Sequence, residues 1–596
     1  MRRQKLEPGR WNLEDALPRG AGRGMQERLE AAKEKAVSFE KLRGRLDRFT
    51  AADVGSTLKL YESIVEDLSR TSSYSYMRYS ADTADQQAKA AIDTAEDLRA
   101  EVDNRVLFFR LWWAGLEDSK AVGLIPASAD YRYVLGLWRK LKPFMLEEKV
   151  EQAVNLKNVT GFSGWTHHYD KMVSGFSFTV KVRGRVLKDA AGKPRKMVVD
   201  EVARLFASGD PATRKAAYRT LLGRYAESGD ILGEVYRTIV RDWRNENMKM
   251  RGYATAISSR NLENDVPDAA VETLLKVCRA NSSVFQDFFR LKARMLGMKR
   301  MSRYHVYAPL ARKEKKISYP DAVRTVFDAF GEFDGGVARM AKRVFDQDHV
   351  DASPRKGKRN GAYCMSVTPE VVPYLFLNYS GATRDVYTIA HESGHAVHSQ
   401  LAAGHSILTF QPPLVLAETA SVFGEMILFD KFMREEKDAE LKRAVLLEKI
   451  SSMYATIGRQ AYFVVFENQA HKAVNEGSTV SDLCNVYSSV LKEQFGDAVE
   501  VPEEFRWEWT YIPHIYHTPF YCYAYAFGNL LSLSLYDAYL KEGRSFVPKY
   551  LKVLSYGGSE SPVKILDQVG IDVTSAGFWQ SGFDVVRRMV GELQKL

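Results

Sequence analysis

From Met25 to about Leu156 apolar residues recur at three- and four-residue spacing, as at Leu58, Tyr61, Ile64, Val65 and Leu68, among residues that favour helices. The pattern predicts an antiparallel helical region. Phe176 to Val186 (FSFTVKVRGRV) sets β-branched and aromatic residues around an Arg-Gly turn, which predicts a short hairpin. We place a boundary there, with residues 1–190 as an N-terminal helical domain ending in the hairpin and 191–596 as a second, larger domain. Helical periodicity resumes at about Val198 and runs through Phe345 with no fixed repeat. Gly361 to Tyr379 (GAYCMSVTPEVVPYLFLNY) interrupts it, because two apolar runs flank a Thr-Pro-Glu turn and read as a strand pair. The expectation is a mainly α chain with a small β-hairpin.

Composition changes this picture little. At 45% hydrophobic and 27% charged residues the chain has the balance of a folded globular protein. The N-terminal run MRRQKLEPGRWNLEDALPRG has early positive charge but no apolar stretch behind it, so no secretory signal is expected. The most apolar stretches, Val371 to Leu377 and Tyr523 to Leu535, are too short or too polar for a membrane span. Cys278, Cys364, Cys484 and Cys522 form no CxxC pair, so we expect reduced thiols, no cysteine-based zinc site and a cytoplasmic protein. The net charge of +10 comes from 85 basic and 75 acidic residues that are interspersed, so no nucleic-acid partner is expected. The basic loop Pro354 to Arg359 reads as a solvated turn.

The chemistry lies just after the strand pair. Asp385 to Ala403 (DVYTIAHESGHAVHSQLAA) reads as one helix with Gly404 as its stop, and it contains HExxH. Residues four apart sit one turn above each other, so His391 and His395 can offer nitrogens to one zinc ion while Glu392 leans over the remaining position as the catalytic base. A second helix is expected from Val415 to Phe432 (VLAETASVFGEMILFDKF), with Glu418 and Glu425 two turns apart on an apolar face. Glu418 completes a His/His/Glu metal set, and Glu425 or Asp385 is placed to orient a ligand imidazole. His398 is excluded as a ligand beside His391, because seven residues of helix rise by roughly 10 Å. Trp507 to Asn529 (WEWTYIPHIYHTPFYCYAYAFGN) gathers His514, His517 and several tyrosines. Most of these aromatics read as core, but a Tyr or His donor there would stabilise an oxyanion, with His514 and Tyr521 ahead of Tyr523 and His517.

With these motifs in place the sequence resembles the oligoendopeptidase F branch of the thimet oligopeptidase family of zinc peptidases. The likeness runs from GFSGWTHHYD at Gly161 through the GAYC hairpin to LNYSGATRDVYTIAHESGHAVHS, LAETASVFGE and IPHIYHTPFYCYAYAFG. It implies a two-lobed helical zincin-type molecule with one zinc ion at the floor of a deep channel, and a catalytic domain over 191–596 cutting internal bonds of short peptides. On it, His391, His395 and Glu418 fall on ligand positions, Glu392 on the base, and His514 and Tyr521 near the transition-state donors. Gly361, Ala362, Tyr363 and Cys364 fall where such enzymes pair substrate backbone with a strand edge. Ser393 and Thr419 depart from the bulkier or apolar residues usual there, which bears on pocket shape more than on catalysis. The alternatives are a zinc carboxypeptidase or dipeptidyl carboxypeptidase on the same architecture, told apart by its products, and a non-catalytic peptide-binding relative.

Overall fold

The computed structural model describes residues 7–189, 191–310 and 316–596, and most of them are helical. The periodic N-terminal region forms the helices Met25–Glu40, Ala51–Ala81 and Gln86–Gly115. The second starts on a reciprocal cap, in which Thr50 Oγ1 accepts from the Asp53 N–H and the Asp53 carboxylate from the Thr50 N–H. The apolar stripes meet in one core around Phe39, Leu58, Ile64, Phe109, Trp113 and Leu135, where each fully buried side chain contributes about 1.5–3 kcal/mol. The expected hairpin is present in minimal form. Lys181–Val182 pairs with Arg185–Val186, and Arg183 and Gly184 take positive φ (48° and 77°), as a two-residue type I′ turn requires.

Two compact units result, one of Met1–Lys142, Glu314–Glu435 and Leu535–Asp572, the other of Pro143–Lys313, Glu436–Ser534 and Val573–Leu596. Six stretches alternate, so the chain crosses from unit to unit five times. Compactness therefore does not follow the single cut at residue 190. The hairpin lies within the second unit, and Ala190 is outside the described residues.

In the first unit, strands Val350–Asp351 (β1), Tyr363–Met365 (β2) and Tyr374–Phe376 (β3) lie in the order β1-β3-β2, with β3 parallel to β1 and antiparallel to β2. Tyr363 pairs with Phe376, Cys364 with Leu375 and Met365 with Tyr374, which is the strand pair expected over 361–379. Among the described residues β2 is an edge strand. Its Tyr363 ring is backed by Phe376 (4.9 Å), Tyr76 (5.4 Å) and Trp11 (6.3 Å). The basic loop is only in part the solvated turn its charges predict, since Pro354, Lys356 and Arg359 are exposed while Arg355 and Lys358 fold back onto a buried acid. Asp351 is 1% exposed, and a buried carboxylate needs partners. Arg355 grips both its oxygens at 2.7 Å, and Lys358 Nζ, also buried, donates to its Oδ1 (2.7 Å) and to Leu377 O (2.5 Å).

In the second unit a buried ion pair joins Arg303 and Glu508 at 2.5 Å, and the Tyr487 hydroxyl donates to the other Glu508 oxygen (3.2 Å). No helix among the described residues is long and apolar enough to cross a membrane. The four cysteines are free, and three of them are buried.

Candidate metal centre and active site

The HExxH helix runs from Thr383 to Leu401 (α1). Asp385 Oδ2 accepts from the N–H groups of Ser380 (2.7 Å) and Ala382 (3.1 Å) and from Ser380 Oγ (2.7 Å). These bonds satisfy donors around the helix start, so of the two acids offered for orienting an imidazole, Asp385 serves the helix instead. The C-terminal stop also differs, since Ala402 caps the helix in the right-handed region and Gly404 has no left-handed φ. Nor does one helix span 415–432. Leu414–Ala417 forms a single turn, Glu418 follows at φ −83°, ψ 0°, and Thr419–Glu435 (α2) continues.

Two glycines let α1 and α2 touch at backbone distance. A Cβ on Gly394, inside HExxH, would lie 2.5 Å from Ala420 O and 2.7 Å from Ser421 Cα; one on Gly424 would lie 3.3 Å from Ala390 O. Glycine costs about 1 kcal/mol in a helix interior, and this close approach is what it permits. Tyr550 braces α2, its ring stacked on Phe423 (4.0 Å) and its hydroxyl donating to Thr419 O (3.2 Å).

The contact brings His391, His395 and Glu418 together, with one donor atom from each inside a 4.8 Å cluster. Glu418 Oε2 lies 3.4 Å from His391 Nε2 and 3.7 Å from His395 Nε2, and it accepts from Ser421 Oγ (2.7 Å). Glu425 Oε1 lies 2.6 Å from His391 Nδ1, which leaves the Nε2 lone pair facing the cluster. Two imidazoles and a carboxylate so arranged fit one divalent ion of nitrogen and oxygen preference, with a coordination position to spare.

Burial and like charge set the titration of these groups. Burial pulls His391 down, but the hydrogen bond and charge of Glu425, with Glu392 and Glu418, outweigh it and carry the imidazole to about 9. Burial and the His391 charge hold His395 well below the ordinary range. Glu392, 6% exposed, is pushed up to about 7 by burial, although its carboxylate receives the Cys364 backbone N–H. His398 is buried, drawn down to about 3, and stays outside the donor cluster, as the helix rise required.

The cluster opens into a cleft of about 330 Å³ whose lining includes Ala362, Tyr363 and Cys364 of the β2 region beside His391, Glu392, His395 and Glu418. Gly361 lines a neighbouring cleft of about 230 Å³ with Ala362 and Arg384. Edge strand and metal cluster thus share one cavity.

The aromatic candidates all belong to the second unit. The His514 and Tyr521 rings lie nearly parallel with centroids 6.2 Å apart, and Tyr525 stands across both at 6.0 and 5.3 Å. Tyr525 escaped the sequence reading; it stands on the helix Tyr523–Glu542 while Tyr521 sits in the turn before it. Tyr523 turns inward instead, fully buried, with its hydroxyl accepting from Asn264 Nδ2 (2.7 Å), so it has no opening to a substrate. His517 Nε2 is paired with Asp170 Oδ1 at 2.7 Å.

Comparison with known proteins agrees with this construction. The model of peptidase family M3 matches residues 204–585, more than half of the chain, and that of oligopeptidase F matches 120–178. Oligopeptidase PepF of Bacillus subtilis is 24% identical over 595 residues, covering 98% of this chain and 87% of its own. An oligoendopeptidase F homolog of Borreliella burgdorferi is 24% identical over 579 residues, covering 95% and 94%. Among solved structures, a Chlamydophila abortus protein described as a peptidase superposes with a TM-score of 0.84 at 24% identity over 98% of both chains. Oligoendopeptidase-F from Enterococcus faecium gives 0.73 at 20% identity, covering 96% of this chain and 99% of its own. Both share the fold. The chain belongs to peptidase family M3, in its oligoendopeptidase F branch, and is a hydrolase of peptide bonds.

Proposed function

We propose that this protein is a zinc-dependent oligoendopeptidase that hydrolyses internal bonds of short peptides. The observation that carries the reading is the donor cluster of His391, His395 and Glu418 set in one cleft with Glu392 and the β2 edge. His391, His395 and Glu418 would hold the ion, with Glu425 fixing the His391 ring through Nδ1. When bound, zinc supplies Lewis acidity, acidifying a water and polarising a carbonyl. Glu392, as the base, would take a proton from the attacking water and pass it to the leaving amine. Backbone groups of residues 361–364 pair with the substrate main chain, which tolerates varied side chains. His514 and Tyr521 donate to the developing oxyanion, a role that rests on the motif they share with the family. The four free thiols fit a reducing, cytoplasmic compartment.

The test is mass spectrometry of unlabelled peptides of graded length, with and without a zinc chelator. Internal, chelator-sensitive cuts confined to short peptides are expected. Stepwise trimming from the C-terminus would replace this reading with a carboxypeptidase. Glu392→Gln should keep its zinc and lose roughly 10²–10⁴-fold in kcat, since it removes the base and no ligand.

A further inference from the structure

Five non-glycine residues among those described have left-handed φ, and Phe520 (φ 60°) is the one with a fully buried, bulky side chain. Phenylalanine has no side-chain hydrogen bond to offset the crowding at this φ, so the surroundings must impose it. They do so through one peptide unit. The Phe520 N–H donates to Glu467 Oε1 (2.7 Å) on the helix Arg459–Asn475 (α3), and the Pro519 C=O of the same peptide accepts from Arg260 Nε (3.2 Å) on the short helix Ser258–Glu263.

Glu467 is fully buried, and burial pushes its carboxyl up to about 8 against the pull of the Phe520 N–H and of Arg260. Its Oε2 has no partner among the described residues. A carboxyl group has thus been taken out of water for a single backbone contact, which costs stability and needs a reason. Two residues beyond Tyr521, Asn264 holds the Tyr523 hydroxyl, so Tyr521 lies between two grips. Reversal of the clamped peptide would redirect the chain at Phe520 and carry the Tyr521 ring away from His514 and Tyr525.

We propose that Glu467 and Arg260 are positioning residues that clamp the Pro519–Phe520 peptide in its left-handed turn and thereby aim the Tyr521 hydroxyl. The proposal rests on the reading of Tyr521 as an oxyanion donor. Both residues act through Tyr521 and neither touches substrate.

Full-length, zinc-loaded Glu467→Ala, Glu467→Gln, Arg260→Ala and Tyr521→Phe proteins test it, read by kcat, KM, zinc content and amide exchange over residues 518–525. In Glu467→Ala, kcat should fall about 10–100-fold with KM within about twofold, a loss typical of a misplaced group. Zinc content should be unchanged and faster exchange confined to that segment. Glu467→Gln, which keeps an acceptor oxygen, should recover most of kcat, and Arg260→Ala should repeat the loss from the other side of the peptide. Glu467→Ala in the Tyr521→Phe background should cost nothing further, because the two changes act on one group. Additive losses, a kcat retained despite faster local exchange, or a fall in zinc content would each overturn the clamp's catalytic role. Full activity in Tyr521→Phe would overturn the donor reading itself, while the exchange data would still report whether the turn is clamped.

Discussion

Glu425 illustrates how a single residue gains its meaning from its neighbour. Its 2.6 Å contact with His391 Nδ1 fixes which nitrogen faces the metal cluster, and loss of such a partner typically weakens binding 10–100-fold. Glu425→Gln should show that fall in competition with a chromogenic chelator while the fold is kept. Lys292 makes the opposite case, a charge without an acidic partner in its described contacts. Its Nζ donates to Val306 O (2.8 Å) and Ser451 Oγ (3.3 Å), and burial, with Arg214 behind it, lowers it from 10.5 to about 7. Between those values the unfolded chain holds more protons than the folded one, so stability rises with pH across the window. Lys292→Met should abolish a rise on the order of 4 kcal/mol between pH 7 and 10.5, seen by comparing urea unfolding of both proteins across that range. At this scale HExxH was legible because its spacing encodes one face of a helix, and Glu418 because it is an acid in an otherwise apolar run, although the single helix expected around it is broken at that residue. Glu467 was not legible, because its partner Phe520 is 53 residues away and no local pattern reports a backbone N–H held at that distance.

At the scale of elements, α1 and α2 form a unit whose spacing is set by bare backbone. Gly394→Ala should push the helices apart, lowering stability by about 1–3 kcal/mol as overpacking does, and weakening zinc binding with it; unfolding midpoint and metal titration measure the two effects together. The Arg303–Glu508 pair ties elements of the second unit. Arg303→Met removes the closer of two cations from the buried Glu508, leaving Arg459 at 3.5 Å, and should cost about 3 kcal/mol in urea unfolding, more than any surface ion pair here. The strand pair and both site helices were legible in hydrophobic period and turn residues. Their ends were less so, since Asp385 at the start of α1 and Glu418 at the break before α2 answer to tertiary contacts. The charge run Pro354–Arg359 misled at Arg355 and Lys358 because their target, Asp351, is an acid hidden in a strand.

For the whole molecule, mainly helical character followed from periodicity, whereas the interleaving of two units did not, since which distant stretches pack together is not a local property. The β2 edge shows what this implies. Its backing comes from Trp11 and Tyr76, and Arg359 N donates to Ser80 O (2.9 Å), so the cleft depends on residues far upstream in the chain. A protein starting at residue 191 should therefore lack ordered β2 and show no peptide cleavage; circular dichroism and the peptide assay check both.

The Tyr550 brace has a further consequence, in time. Thr419 and Tyr550 are 131 residues apart, and at about 5–20 residues per second a ribosome takes roughly 7 to 26 s to travel from one to the other. Through that interval the emerging chain carries its histidines and glutamates beside a helix whose support from Tyr550 has not yet been made. The helix that carries Glu425 therefore gains this brace only after a long further stretch of chain has been made.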